Sequence, residues 1–302
     1  MDSRSSKTGD RPEFASPPPL WNNIPMDALK IISPSPPAAL REQLLDWMRA
    51  QGSIVVAYSG GADSALALAL ALEALGDRAV AVTADSPSIP RAELEFASGL
   101  ARRLGARHEV VASRELDNPE YTANRGDRCY YCKTELYRLC EDGRLRWGFA
   151  VVINGKNLDD LGDYRPGHAA AHEARVKSPF VELGLDKSMI REISRLMNLP
   201  TWDKPATPCL ASRLAPGTVV TELRLGRIER LENMLWAEGF RVFRLRNHEE
   251  LARLELGPEE QKRFLEDEAL RERFTRAARA EGFRYVTLDL EGYRTGSMNP
   301  TG

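Results

Sequence analysis

From residue 38 onward, short unbroken apolar runs alternate with longer stretches in which apolar residues recur every three or four positions. Ile54-Val55-Val56, Ala79-Val80-Ala81-Val82 and Ala150-Val151-Val152-Ile153 are short and continuously apolar, the pattern of strands in a parallel sheet covered on both faces. The periodicities predict helix 38–51, strand 53–58, helix 63–75, strand 78–83, helix 90–104 and strand 107–112. A helix over 132–146, a strand over 149–154 and a helix over 186–197 follow. The fold class read from this order is α/β, a parallel twisted sheet with helices on both faces. Past Pro205 the texture changes to a charged helix (222–238), an alternating strand (240–246), a second strand (251–256), helices (258–281) and a last strand (283–289), which predicts a small α+β domain. Residues 1–37 are dense in proline, with Ser16-Pro17-Pro18-Pro19 and Ser33-Pro34-Ser35-Pro36-Pro37, and are expected to stay largely disordered because proline at that density builds neither helix nor central strand. The expected organisation is therefore an extension (1–37), a sheet domain (38–205) and a C-terminal domain (206–302).

Composition narrows the class. The chain has 302 residues, 42% hydrophobic and 28% charged, with a formal net charge of −2. A near-neutral balance argues against nucleic acid or a membrane surface as the main partner, since neither phosphate backbones nor anionic lipid would be drawn to the chain as a whole. The apolar helix after residue 64 is too short to span a bilayer, and the first twenty residues hold no apolar signal core, so a cytoplasmic protein is expected. Four cysteines in so long a chain do not make a disulfide scaffold; grouped cysteines here point to metal or redox chemistry.

The chemistry is concentrated at the predicted carboxyl ends of the strands, where open parallel sheets bind ligands. Ser59-Gly60-Gly61-Ala62-Asp63-Ser64 lies between a strand and a helix, so backbone N–H groups and the positive end of the helix dipole can hold an anion. Gly60 and Gly61 let the backbone come close to it. The loop lacks the lysine of a Walker loop and the spacing of a dinucleotide fingerprint. A carboxylate at Asp63 would repel bare phosphate, which makes it a Mg²⁺ ligand on a triphosphate; the bland alternative is a carboxylate stabilised by the helix dipole. Asp85 closes the second strand. Asn154 and Gly155 close the fourth, where a glycine would admit a flat ring or sugar to the backbone. Asp159 and Asp160 share the ion, position the ribose or form an ordinary Asx turn. In the long polar loop that follows, Arg165 and Lys177 are candidate anion contacts, while His168 and His172, without a third ligand, read as surface residues.

Cys129 and Cys132 form a C-x-x-C that is open among zinc, iron–sulfur and dithiol roles. Cys209, preceded by Pro205 and Pro208 and four residues before Arg213, is held out of regular structure, and Arg213 could favour its thiolate. Cys140 reads as a buried thiol on an amphipathic helix. Strand alternation puts Arg244 and Arg246 on one face and Phe243 and Leu245 on the other; such a pair of guanidiniums, joined by Arg213, can chelate a substrate phosphate, and otherwise lies on a solvated strand face.

The hexapeptide at 59–64 resembles the pyrophosphate-binding loop of the ATP pyrophosphatase family. Taken with Arg128-Cys129-Tyr130-Tyr131-Cys132-Lys133, Asn154-Gly155, Asp159-Asp160, Arg165-Pro166-Gly167, Lys204-Pro205-Ala206, Cys209-Leu210-Ala211-Ser212-Arg213 and the ending 289–299, the chain resembles the ATP-dependent sulfur transferases of the LarE family over residues 38–299. That resemblance implies an adenine nucleotide α-hydrolase-like fold and a definite reaction. ATP adenylates the carboxylates of pyridinium-3,5-biscarboxylic acid mononucleotide, pyrophosphate leaves, and an enzyme-held sulfur displaces AMP, building the nickel-pincer nucleotide. It implies ATP contacts at Ser59, Gly60, Gly61, Asp63, Ser64, Asp85, Asn154 and Gly155, with Mg²⁺ on Asp63 and Asp160. It also implies a substrate-phosphate site at Arg213, Arg244 and Arg246. Members with one matching cysteine at Cys209 spend it as the sulfur donor and keep dehydroalanine; members with the C-x-x-C as well hold a [4Fe-4S] cluster, here expected on Cys129, Cys132 and Cys209. Expected partners are the small mononucleotide, a second copy of the chain, a sulfide donor and a nickel-inserting protein downstream. Two rival readings remain, a tRNA thiolase, which would need a basic or aromatic-rich RNA surface, and a nucleotide-binding module without catalysis, which would have no use for Cys209.

Overall fold

The computed structural model describes residues 36–162 and 167–294. The expectations for the segment before residue 36, for Arg165 and for the end from residue 295 lie outside the described residues.

Helix α1 (Pro37–Gln51) leads into strand β1 (Ile54–Ala57), and helix α2 (Ala62–Leu75) follows the glycine-rich loop. Strand β2 (Ala79–Asp85), helix α3 (Arg91–Arg103) and strand β3 (Arg107–Ala112) complete the first run. A one-turn helix, α4 (Pro119–Thr122), precedes the long α5 (Arg128–Trp147), strand β4 (Val151–Ile153) and helices α6 (Gly167–Glu173), α7 (Pro179–Glu182) and α8 (Lys187–Leu196). The four strands are parallel in the order β3-β2-β1-β4. The strand order therefore reverses direction at β1, and the crevice between the ends of β1 and β4 is the topological switch point where such sheets take ligands.

Period-two alternation sorts the strand residues between two cores. Ile54, Val56, Ala79, Ala81 and Ile153 join the core under α1, α2, α3 and α8, while Val55, Ala57, Val82 and Val152 join the one under α5 and α6. Helices thus cover both faces, as the continuous apolar runs predict. Helix α2 is apolar nearly all round because it is buried nearly all round.

The C-terminal part is built from helix α9 (Glu222–Ala237), strands β5 (Phe243–His248) and β6 (Leu251–Leu256), helices α10 (Pro258–Glu266) and α11 (Glu268–Ala280) and strand β7 (Tyr285–Leu288). Strand β6 pairs antiparallel with β5 and parallel with β7. The helices predicted over 258–281 are two, and they meet at Asp267, which ends α10 and caps α11 by accepting the Leu270 N–H at 2.9 Å. Helix α5 begins four residues earlier than its apolar period predicts, which brings Cys129 and Cys132 onto one helical face at i, i+3 spacing.

A small core of Tyr121, Leu210, Ala211, Leu214, Val220, Leu225 and Ile228 ties the two sheets together, with Cys132 and Cys209 packed at its margin. By tertiary contacts, the described residues from Pro37 onward form one unit.

Candidate active site

The glycine-rich loop is cross-braced by its own hydroxyls. The Ser59 N–H donates to Ser64 Oγ at 3.2 Å, the two hydroxyls lie 3.1 Å apart, and Ser64 Oγ donates back to the Gly61 carbonyl at 3.2 Å. Gly60 has φ +72°, and a Cβ there would lie 2.7 Å from Ala97 Cβ on α3, so the position excludes any side chain on two counts. Gly61 occupies the N-cap of α2 and offers no side-chain cap, which leaves the first-turn N–H groups facing the switch-point crevice.

Gly155 is needed for a reason other than the expected one. A Cβ on it would sit 2.8 Å from the Asp63 carbonyl carbon and from the Ser64 nitrogen. The body it admits is the chain's own loop. Asn154 is likewise occupied internally, donating to the Tyr137 hydroxyl at 3.2 Å and accepting from Ser178 Oγ at 2.9 Å and Lys156 N–H at 3.1 Å. It holds the loop after β4 in shape, with 7% of its surface exposed. Asp85 is paired with Arg91 at 2.5 Å, and the Arg91 backbone N–H meets Glu229 of α9, so this strand end joins the two sheets.

Asp63 projects into the crevice from the first turn of α2. Both its oxygens are taken by Lys187 Nζ, at 2.5 and 2.6 Å, and Asn157 Nδ2 lies 3.5 Å from Oδ1. Asp160 approaches through the same segment by accepting the Asn157 N–H at 3.2 Å, and Asp159 accepts from the Lys187 N–H at 3.0 Å. The structure thus gathers Ser59, Gly60, Gly61, Asp63, Ser64, Gly155 and Asp160 about one crevice. Lys187 was not legible beforehand, because nothing in its local sequence marks a lysine that starts a helix 124 residues from its partner. Lys177 is turned elsewhere, onto Gln51 at 2.8 Å and the Trp47 ring of α1. His172 is exposed at the end of α6.

Cys209 sits just before a 3-10 turn (Leu210–Arg213) whose backbone is held firmly. Its carbonyl accepts from Ser212 Oγ at 2.7 Å, Ser212 N–H at 3.0 Å and Arg213 Nη1 at 2.9 Å, and the next N–H, of Leu210, donates to the Ser88 carbonyl at 2.7 Å. The thiol itself faces Arg128, whose Nη2 is 4.0 Å from Sγ. Arg128 also ties the α5 N-terminus to the turn by donating to the Ala211 carbonyl at 2.7 Å. Cys129, Cys132 and Cys209 all lie within electrostatic reach of Arg128 and of Lys133. Burial pushes the Cys132 thiol up to about 12, and does the same to Cys140, which is fully enclosed in the core under α5. Beneath the cysteines the Tyr121 hydroxyl contacts Ser88 Oγ at 2.5 Å, and burial pushes that hydroxyl up as well. Among the described residues, no three His, Cys, Asp or Glu side chains close around a single metal ion.

The arginines differ from expectation. Arg213 is buried and grips Glu232 through two bonds, Nε to Oε1 at 3.1 Å and Nη2 to Oε2 at 2.9 Å, while its remaining nitrogen serves the Pro208 and Cys209 carbonyls. It holds the cysteine's backbone, and the cation beside the thiol is Arg128. Arg244 and Arg246 do share a face, but that face is covered, leaving them 8% and 5% exposed. Arg244 stacks on the Tyr293 ring and donates to its hydroxyl at 3.1 Å; Arg246 pairs with fully buried Glu255 at 3.0 Å and donates to the Ser212 carbonyl at 3.1 Å. A solvated strand face is therefore corrected to a buried charge cluster that abuts the Cys209 turn.

No family model matches the chain. Over 245 residues, 81% of this chain and 91% of the relative, it is 46% identical to an uncharacterised protein of Synechocystis sp.. It is 36% identical over 249 residues to the pyridinium-3,5-bisthiocarboxylic acid mononucleotide synthase of Lactiplantibacillus plantarum, covering 82% of this chain and 89% of that enzyme. The chain belongs to the LarE family. A further relative, an uncharacterised protein of Methanocaldococcus jannaschii, is 28% identical over 242 residues, 80% of this chain and 91% of its own length. The shared span equals most of each relative's own length. No helix among the described residues is long and apolar enough to cross a membrane.

Proposed function

We propose that this protein is an ATP-dependent sulfur transferase that adenylates the carboxylates of pyridinium-3,5-biscarboxylic acid mononucleotide and converts them to thiocarboxylates for a nickel-pincer nucleotide. The observation that carries the reading is the Cys209 turn. A cysteine whose carbonyl is held by three hydrogen bonds and whose thiol faces Arg128 lies against a buried arginine pair, in a family whose named relative makes this bisthiocarboxylate.

The residues divide the work between two stations. At the Ser59 loop, uncapped N–H groups of α2 would receive the β- and γ-phosphates of ATP, with Asp63 and Asp160 facing a Mg²⁺ that the nucleotide's own oxygens complete. The substrate carboxylate attacks the α-phosphorus, the bond to the β-phosphate oxygen breaks, and pyrophosphate stays on the loop. At the second station Arg244, and Arg246 beside it, would hold the mononucleotide's phosphate. A sulfur nucleophile then adds to the acyl carbon and AMP leaves with the acyl oxygen; two such rounds give the bisthiocarboxylate. Arg213 acts on the chemistry only through the backbone of Cys209.

Cys129, Cys132 and Cys209 offer three sulfur donors from two elements beside two cations, with Cys140 enclosed elsewhere. In kind this is the donor set of a [4Fe-4S] cluster with one iron left without a protein ligand. Holding it would require the thiols to draw together, since among the described residues no three of them surround one metal ion. Bound there, such a cluster would supply the transferred sulfide.

The test is anaerobic incubation of the purified protein with ATP, Mg²⁺ and the pyridinium mononucleotide. AMP, pyrophosphate and thiocarboxylate are expected in step. Sulfur appearing in tRNA, with none in the mononucleotide, would overturn the assignment.

A further inference from the structure

The crevice at the end of β1 contains an ion pair, Asp63 with Lys187, that is partly open to solvent. Asp63 and Lys187 leave 28% and 32% of their side chains exposed, and partly exposed pairs contribute little to stability. Yet the pair sits at the mouth of an anion-binding turn that contains no cation itself. Other lysines near the loop are engaged differently. Lys204 is turned onto Glu93 at 2.7 Å and the Phe96 ring, and burial lowers the Lys156 ammonium.

We propose that Lys187 is the polyphosphate-binding cation of the Ser59 loop, stored on Asp63 until a divalent metal displaces it. The proposal rests on the assignment of ATP to this loop. The base of the lysine is fixed: its backbone N–H is held by Asp159, and Asp186 caps the helix it begins by accepting the Met189 N–H at 2.8 Å. Only the four-carbon stem needs to move for the ammonium to pass from a carboxylate to a phosphate next to it. In the free protein the ammonium fills the position a metal would take on Asp63, so the carboxylate stays neutralised. When nucleotide arrives with its metal, Asp63 turns to the metal and the ammonium turns to the phosphates. Asp63 and Lys187 keep their charges throughout, and no group changes protonation.

Three variants of the full chain test this, with Mn²⁺ followed by electron paramagnetic resonance and ATP binding followed by calorimetry in chelator. Lys187→Met should bind Mn²⁺ without nucleotide more tightly than the parent, because Asp63 is no longer occupied. It should bind metal-free ATP roughly tenfold to a hundredfold more weakly, the range of one lost charge-assisted contact. Lys187→Arg should retain most of that binding. Asp63→Asn, which frees the lysine, should bind metal-free ATP at least as well as the parent but lose the gain on adding Mn²⁺. Equal ATP binding by Lys187→Met and the parent, or weaker metal-free binding by Asp63→Asn, would overturn the proposal while leaving ATP at the loop. A parent that binds no ATP under either condition would instead sink the nucleotide assignment.

Discussion

Arg213 and Glu232 form a two-pronged ion pair with both side chains buried, and Glu232 also accepts the Leu245 N–H of β5 at 3.1 Å. One carboxylate therefore joins the turn that presents Cys209 to the strand that carries Arg244 and Arg246. Removing either partner leaves a buried charge uncompensated. Arg213→Ala should cost about 3–5 kcal/mol of stability, read from urea unfolding, and Glu232→Ala should cost a similar amount. An exposed-pair cost below about 1 kcal/mol would show that water reaches this site.

Gly155→Ala should damage the nucleotide station without touching a ligand. The added methyl meets backbone 2.8 Å away, which cannot yield as a side chain can. The expected outcome is a destabilisation of about 1–3 kcal/mol together with weakened ATP binding. Gly52→Ala is a control that meets nothing within 4 Å but carries its own strain at φ +79°. Calorimetric titration of both variants separates loss of the loop from loss of stability alone.

The two arginines of β5 should give different phenotypes. Arg244 leans on Tyr293, so Arg244→Ala should weaken binding of the mononucleotide roughly tenfold to a hundredfold while ATP affinity holds. Arg246 pairs with enclosed Glu255, so Arg246→Ala should lose both substrate binding and stability. Substrate titration against Tm for the two variants checks the split.

If the three thiols hold one cluster, Cys129→Ser, Cys132→Ser and Cys209→Ser should each remove iron from anaerobically prepared protein and end multiple turnover. Cys140→Ser should cost stability only. Iron and sulfide analysis with intact mass after turnover decides the matter. A dehydroalanine at position 209 in a protein that never held iron would show that Cys209 is itself the sulfur donor.

Thiol labelling of iron-free protein should follow burial and pH. Cys132, pushed up to about 12, stays a neutral thiol across the physiological range. A raised thiol pKa means the reactive thiolate appears only as pH approaches that value, so iodoacetamide at pH 8 should mark exposed Cys129 and spare Cys132 and Cys140. Peptide mass spectrometry at increasing pH reads the order. Labelling of Cys132 at pH 8 as fast as Cys129 would contradict it.

The sheet and its loop were legible because their signals are local. The apolar runs at 54–56, 79–82 and 150–153 read as strands covered on both sides, and two glycines between hydroxyls read as a tight turn. What escaped the sequence is long-range pairing. Arg213 looked available because Glu232 lies nineteen residues on, in another element. The alternation at 240–246 correctly put Arg244 and Arg246 on one face, but alternation reports faces, not what covers them. Arg128 was visible as part of a motif with Cys129, yet its approach to Cys209 depends on packing between α5 and a turn 81 residues away.

The abutment of Gly155 against Asp63 and Ser64, with Gly60 against Ala97 on the other side, means the loop is cast between two fixed walls before any ligand arrives. The entropy of ordering it has then been spent at folding rather than at binding. Nucleotide association at this station should accordingly be fast and nearly free of structural rearrangement, leaving a single lysine side chain as the principal moving part.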